Sequence, residues 1–174
     1  MGLIGGSICK SIKAATSHAV YGCDVQQAVL DDAIADGAID GTGTMTDGTY
    51  DMIILCLHQR IAIQMVQEAL PKIPAGTILV DTCGLKGRMV RDLTYRCRKA
   101  DVRYVGTHPM AGREKNGYYA SIPNLFQNAN LIVTPVDGTD EAALDTVKEL
   151  ADQMGFGKIV TATPMWHDNM IAYT

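Results

Sequence analysis

Residues 1–11, MGLIGGSICKS, pose the question on which the fold turns. A dinucleotide-binding fold opens with a buried strand, then a glycine-rich turn, then a helix whose N-terminus faces the phosphates. Here the glycines begin at position 2 and no strand precedes them. In the fingerprint GxGxxG the second glycine lets the backbone approach the pyrophosphate, and the third lets the helix pack closely on the strand. Gly2 and Gly5, flanking Leu3 and Ile4, supply that second and third glycine. The plain alternative is a flexible glycine pair near a terminus.

Asp24 tips the balance. It ends the strand-like stretch HAVYGCD (18–24) and lies 19 residues beyond Gly5, against about 20 in the fingerprint. A carboxylate there accepts hydrogen bonds from a ribose 2′-hydroxyl and repels a 2′-phosphate. No lysine or arginine follows in DVQQ, so NAD is expected rather than NADP. Asp24 also suits the N-cap of the next helix, and the two tasks are compatible. The chain therefore reads as starting inside its fold, as a fragment or from a misplaced start. The missing first strand would leave two strand edges uncovered.

Outward from this point, strand-like and helical patterns alternate. Helix VQQAVLDDAIADG (25–37) is followed by YDMIILCLH (50–58), whose apolar run is of strand length, as for a strand covered on both faces. Helix IAIQMVQEAL, strand GTILVDT (76–82), helix GRMVRDLTYRCRKA and strand VRYVGTH (102–108) come next. A long polar connection, residues 109–128, precedes strand ANLIVTP, helix DEAALDTVKELADQMG, strand KIVTATP and a last helix from Met165. The fold class is α/β: a Rossmann-type, doubly wound, mostly parallel sheet lacking its first strand. Residues 1–163 are expected to form the dinucleotide-binding domain; the resemblance set out below implies that 164–174 begin a helix linking it to a further domain.

Composition narrows the function. The chain has 174 residues, 47% hydrophobic and 20% charged, with net charge −4. It lacks the basic footprint of a nucleic-acid binder and any apolar run of the roughly 18 residues a membrane span needs. The stretch MGLIGGSICK (1–10) shows neither the cationic n-region nor the small-residue cleavage site of a secretory signal. The five cysteines form no CxxC pair and have no metal spacing with histidine, so a cytoplasmic protein with reduced thiols and no metal is expected.

VGTHPMAGREKNGYY (105–119) carries the chemistry. His108 ends a strand, where open α/β sheets bind ligands, and Pro109 biases it toward extended geometry. Its ordinary pKa near neutrality suits a general base. Arg113, Glu114 and Lys115 lie between Gly112 and Gly117 on a loop able to close over a site. The alternative is a turn histidine beside solvated charges.

GLIGGS, HPMAGREKNGYYAS, LFQNANLIVTP and WHDNMIA together resemble the prephenate/arogenate dehydrogenases of tyrosine biosynthesis, over nearly the whole chain and in the right order. The resemblance implies oxidative decarboxylation of prephenate to 4-hydroxyphenylpyruvate with hydride transfer to NAD+, or the same reaction on arogenate. His108 would be the base. Gly2, Leu3, Ile4, Gly5 and Asp24 would hold NAD, with Leu57 and His58 at the cofactor-contacting turn. His58 would otherwise cap the helix beginning at Gln59. Gly84, Glu114 and His167 would lie toward the substrate. For Glu114 a solvated loop acid is the alternative, and for His167-Asp168 a helix turn with Asp168 near the dipole.

Two departures stand out. Gly84, in DTCGLKG, replaces a serine that many relatives use to orient the histidine and substrate, leaving backbone, water or Cys83 to do so. The helical C-terminal domain, which supplies an arginine for the substrate carboxylate and a homodimer interface, would begin where this chain stops. The competing readings are another hydroxyacid or imine dehydrogenase, and a non-catalytic NAD-binding fragment.

Overall fold

The computed structural model describes residues 1–173; Thr174, the expected end of the last helix, lies outside the described residues. Two sheets are present. A short parallel pair, β1 (Tyr21–Gly22) and β2 (Gly41–Thr42), stands apart from a five-stranded sheet of order β3-β4-β5-β6-β7. The five strands are Met52–Leu55, Ile78–Asp81, Arg103–Met110, Asn130–Val133 and Lys158–Thr161. No hydrogen-bonded ladder joins the two sheets among the described residues.

β3, β4 and β5 run parallel, and β7 runs parallel to β6. β5 and β6 are antiparallel, with His108 opposite Ile132. The expectation that strand 102–108 ends at His108 is corrected here, because β5 continues through Pro109 to Met110. The register explains how a proline is tolerated. β4 accompanies β5 only as far as Gly106, so beyond it one side of β5 is an edge where a missing N–H costs nothing. The two-residue β2 escaped the sequence reading because so short a piece has no period to detect.

Six helices are described: α1 (Leu3–Ala15), α2 (Gln27–Ala35), α3 (Gln59–Ala69), α4 (Gly87–Lys99), α5 (Glu141–Gln153) and α6 (Pro164–Ile171). α3 and α4 cover one face of the large sheet. Ala62, Ile63 and Val66 of α3 and Met89, Val90, Leu93 and Cys97 of α4 meet Leu79 in one core. α5 covers the other face, where Ala143 and Val147 pack on Ile78, Val80 and Val105. β4 is therefore buried on both sides, as its unbroken apolar run implies. Truncating Leu79, wholly buried, to alanine costs about 2–5 kcal/mol.

α1 is clamped from outside the sheet. The long connection after β5 is docked over its second half, not free. A 3₁₀ turn at Tyr118–Ala120 lies against α1, Ser11 Oγ donates to Pro123 O (2.6 Å), and the Ile122 N–H donates to Ser7 Oγ (3.1 Å). Tyr118 and Tyr119 donate their hydroxyls to Asp36 (2.9 Å) and Asp32 (2.6 Å), tying the same segment to α2 and its end. Gly6 makes the close approach possible: a Cβ there would lie 2.7 Å from Ser121 Oγ.

Candidate active site

The carboxyl ends of β3, β4 and β5 form one rim, and the glycine turn lies on it. Gly5 faces Cys56, the residue after β3, so closely that an added Cβ would lie 3.2 Å from the Cys56 Cβ. This is the tight helix-to-strand packing expected of the third fingerprint glycine. α1 starts directly after Gly2, and no side chain caps it. Its first N–H groups have no intrahelical acceptor, and a Cβ at Gly2 would meet nothing within 4 Å. Asp24, just past β1, lies beside Met1 at the same spot, and its Oδ1 accepts the Gln26 N–H (2.9 Å). Helix α2 takes Gln26, not Asp24, as its N-cap. Open backbone, free N–H groups and an adjacent carboxylate fit the pyrophosphate and ribose of a dinucleotide.

Along the rim, Leu57 is partly exposed, and its carbonyl accepts from Cys83 Sγ (3.3 Å). His58 occupies the N-cap position of α3, yet its side chain makes no capping bond and stands exposed. Burial, then the carboxylate of Asp81, pushes the Cys83 thiol up to about 12, which keeps it protonated and unreactive. Gly84 follows, and a Cβ there would lie 3.6 Å from His108 Nε2. Glu114 is exposed on the tip of the loop.

His108 is half-buried on this rim. Burial, then the neighbouring His167 ring and the Lys86 ammonium, push its pKa down to about 4, against upward pulls from Asp81 and Asp168. Its Nδ1 lies 2.9 Å from His167 Nε2, and His167 Nδ1 lies 2.9 Å from Asp168 Oδ1. His167, from α6, is only 2% exposed, so both its nitrogens are engaged inside the protein. Asp168 in turn accepts the Lys86 N–H (2.7 Å) and the Gly87 N–H (2.8 Å). The alternative weighed from the sequence set Asp168 beside the dipole of its own helix. It caps α4 instead, a helix whose own residues provide no side-chain cap. Partial burial raises the Asp168 pKa, but those two N–H groups and His167 outweigh it and hold the carboxyl below its usual range.

Beneath His108 lies a cluster that sequence reasoning missed. Lys86 and Asp81, both wholly buried, form an ion pair, and Lys86 Nζ also donates to Thr107 O (2.6 Å). Asp81 accepts from the Tyr104 hydroxyl (2.6 Å) and the Cys83 N–H (2.9 Å), and its carbonyl accepts from Thr107 Oγ1 (2.6 Å). The only signal in the sequence is a lysine five residues after an aspartate that closes an apolar strand. The cluster ties β4, β5 and the Gly84 loop into one rigid support.

A family profile described as "Prephenate dehydrogenase, nucleotide-binding domain" matches residues 8–161. The chain is 28% identical over 174 residues to the prephenate dehydrogenase of Bacillus subtilis, covering 98% of this chain and 47% of that one. It is 29% identical over 179 residues to the cyclohexadienyl dehydrogenase of Zymomonas mobilis, covering 100% of this chain and 60% of that protein. The crystal structure of the Aquifex aeolicus prephenate dehydrogenase, complexed with hydroxyphenyl propionate and NAD+, superposes with a TM-score of 0.88 at 29% identity, covering 97% of this chain and 59% of that one. The chain spans about half the length of the curated relatives it matches. A glycine turn opening onto the strand rim, an acid beside it and a profile match over most of the length lead to one assignment: the chain belongs to the prephenate dehydrogenase family and carries its nucleotide-binding domain.

Proposed function

We propose that this chain is the NAD-binding and proton-abstracting part of an enzyme that converts prephenate to 4-hydroxyphenylpyruvate and CO2. The observation that carries the reading is the position of His108, half-buried on the rim that also holds the Gly2–Gly5 turn, with no hydrogen bond to its Nε2 among the described residues.

The backbone N–H groups of Leu3 and Ile4 bind the pyrophosphate of NAD, the close approach being allowed by Gly2, while Gly5 lets α1 pack on the strand. Asp24 holds the adenosine ribose, and Leu57 and His58 border the cofactor. Bound NAD+ supplies the hydride acceptor. His108 Nε2 takes the proton of the ring hydroxyl as the carbinol carbon becomes electron-poor, and aromatisation then expels the ring carboxylate as CO2. Gly84 leaves room beside Nε2 for the substrate hydroxyl, and Glu114 stands at the entrance. Residues 1–163 act as the cofactor unit and 164–174 lead into a helical domain that completes the substrate pocket and a homodimer. Five unpaired cysteines suit the cytoplasm.

The test is turnover of prephenate, arogenate and a small hydroxyacid by the natural full-length protein, with NAD+ and with NADP+. Prephenate turnover with NAD+ is expected. His108→Asn should lower kcat at least about tenfold while leaving NAD+ affinity unchanged, in line with the worth of a general base. Wild-type turnover in that variant refutes the assignment.

A further inference from the structure

Which nitrogen of His108 is free decides whether it can act as a base at all. A neutral imidazole has one donor and one acceptor nitrogen, and the partner of one determines the state of the other. Free in water, the ring prefers its proton on Nε2. That is the wrong form here, because Nε2 is the nitrogen without a protein partner among the described residues.

We infer that Asp168 and His167 form a proton-ordering chain that holds His108 in the Nδ1–H tautomer and so keeps its Nε2 lone pair available. Each link follows from the last. Asp168 is a carboxylate and can only accept, so His167 Nδ1, at 2.9 Å from its Oδ1, must carry a proton. The form of His167 that carries only this proton presents a lone pair at Nε2, and His108 Nδ1, at 2.9 Å, donates to it. The two rings meet edge to face, with planes at 76° and centroids 5.1 Å apart, which suits one N–H directed at one lone pair.

The anchor of the chain is rigid. Both Asp168 oxygens are held by backbone N–H groups at the start of α4, through Lys86 and Gly87. Asp168 therefore does not rotate to follow the proton, and its charge is stabilised by the helix terminus it caps. His167 becomes a positioning residue, buried at 2% exposure behind the base rather than in contact with substrate. When His108 accepts a proton at Nε2, no other proton needs to move. The Nδ1–H bond to His167 is already made, and the new imidazolium donates from both nitrogens. The catalytic consequence rests on the proposed function; the tautomer does not.

The experiment has two arms. In the first, ¹⁵N-histidine NMR of the chain above pH 7 reads the protonation of each ring nitrogen, with His108 assigned among the four histidines by its loss in His108→Asn. A neutral His108 protonated on Nδ1 is expected. Asp168→Asn and His167→Phe should shift it toward the Nε2–H form, whereas His167→Gln, which keeps an acceptor, should preserve it. In the second arm, in the full-length protein, Asp168→Asn and His167→Phe should lower kcat about tenfold or more, with KM for substrate and NAD+ affinity within about threefold, and His167→Gln should recover most of the loss. A wild-type His108 protonated on Nε2 overturns the inference, as does an unchanged tautomer in both disrupting variants. An Nδ1–H tautomer in a protein that turns over neither prephenate nor arogenate leaves the chain standing and refutes the proposed function instead.

Discussion

His108 and His167 lie 59 residues apart in sequence, yet their facing ring nitrogens are 2.9 Å apart, on a strand and a helix that converge only in the folded chain. That contact buries His108 beside a second imidazole and a lysine ammonium. Burial, the largest influence, and the lysine ammonium favour its neutral form.

Stability should therefore depend on pH through His108. Its pKa is about 4 when folded and about 6.5 when unfolded, so between these values the unfolded chain binds a proton that the folded chain refuses. The contribution is fully present above about pH 6.5 and is lost as pH falls toward 4. Urea unfolding of wild type and His108→Asn across this window should show a smaller acid loss in the variant. Parallel curves would contradict the burial assigned to this ring.

The Lys86–Asp81 pair should be costly to break from one side. Lys86→Met leaves a buried carboxylate short of its cation and should cost about 3–5 kcal/mol in chemical denaturation. The double variant Lys86→Met/Asp81→Asn should lose less than the sum of the two single changes, because the uncompensated charge is gone. Additive losses would mean that the two groups are not coupled.

Neighbouring glycines should respond differently. A methyl at Gly6 would collide with Ser121 and Tyr118, so Gly6→Ala should lose about 1–3 kcal/mol by overpacking. A methyl at Gly2 meets nothing, so Gly2→Ala should leave thermal stability within about 0.5 kcal/mol. Its effect should fall on NAD+ affinity, measured by titration calorimetry, since that backbone faces the phosphates in the proposed function. Unchanged affinity would remove Gly2 from the cofactor site.

Asp24 should set the choice between cofactors. Asp24→Ala removes both the ribose acceptor and the repulsion of a 2′-phosphate, so the preference for NAD+ over NADP+ should narrow by about tenfold or more. An unaltered ratio in binding titrations would assign Asp24 to the turn before α2 alone, through its bond to Gln26.

Local chemistry made much of this protein legible in one dimension. The mainly apolar runs 50–58 and 76–82 announced strands of the central sheet, and the second is buried throughout, although the first is only partly covered over Met52–Ile54. The Gly2–Gly5 spacing announced a helix packed against a strand, and at Gly5 an added Cβ would crowd Cys56 at 3.2 Å. His108-Pro109 stood out because a histidine before proline at a strand end is chemically conspicuous. The tertiary structure alone decided what stands behind that histidine. His167 reaches His108 from α6, Asp168 reaches the start of α4, and Lys86 turns inward to Asp81, each across elements that the sequence keeps apart. Periodicity records which face of an element is apolar, but hydrogen bonds between distant side chains leave no period. They exist only once the sheet has brought its strand ends to one rim.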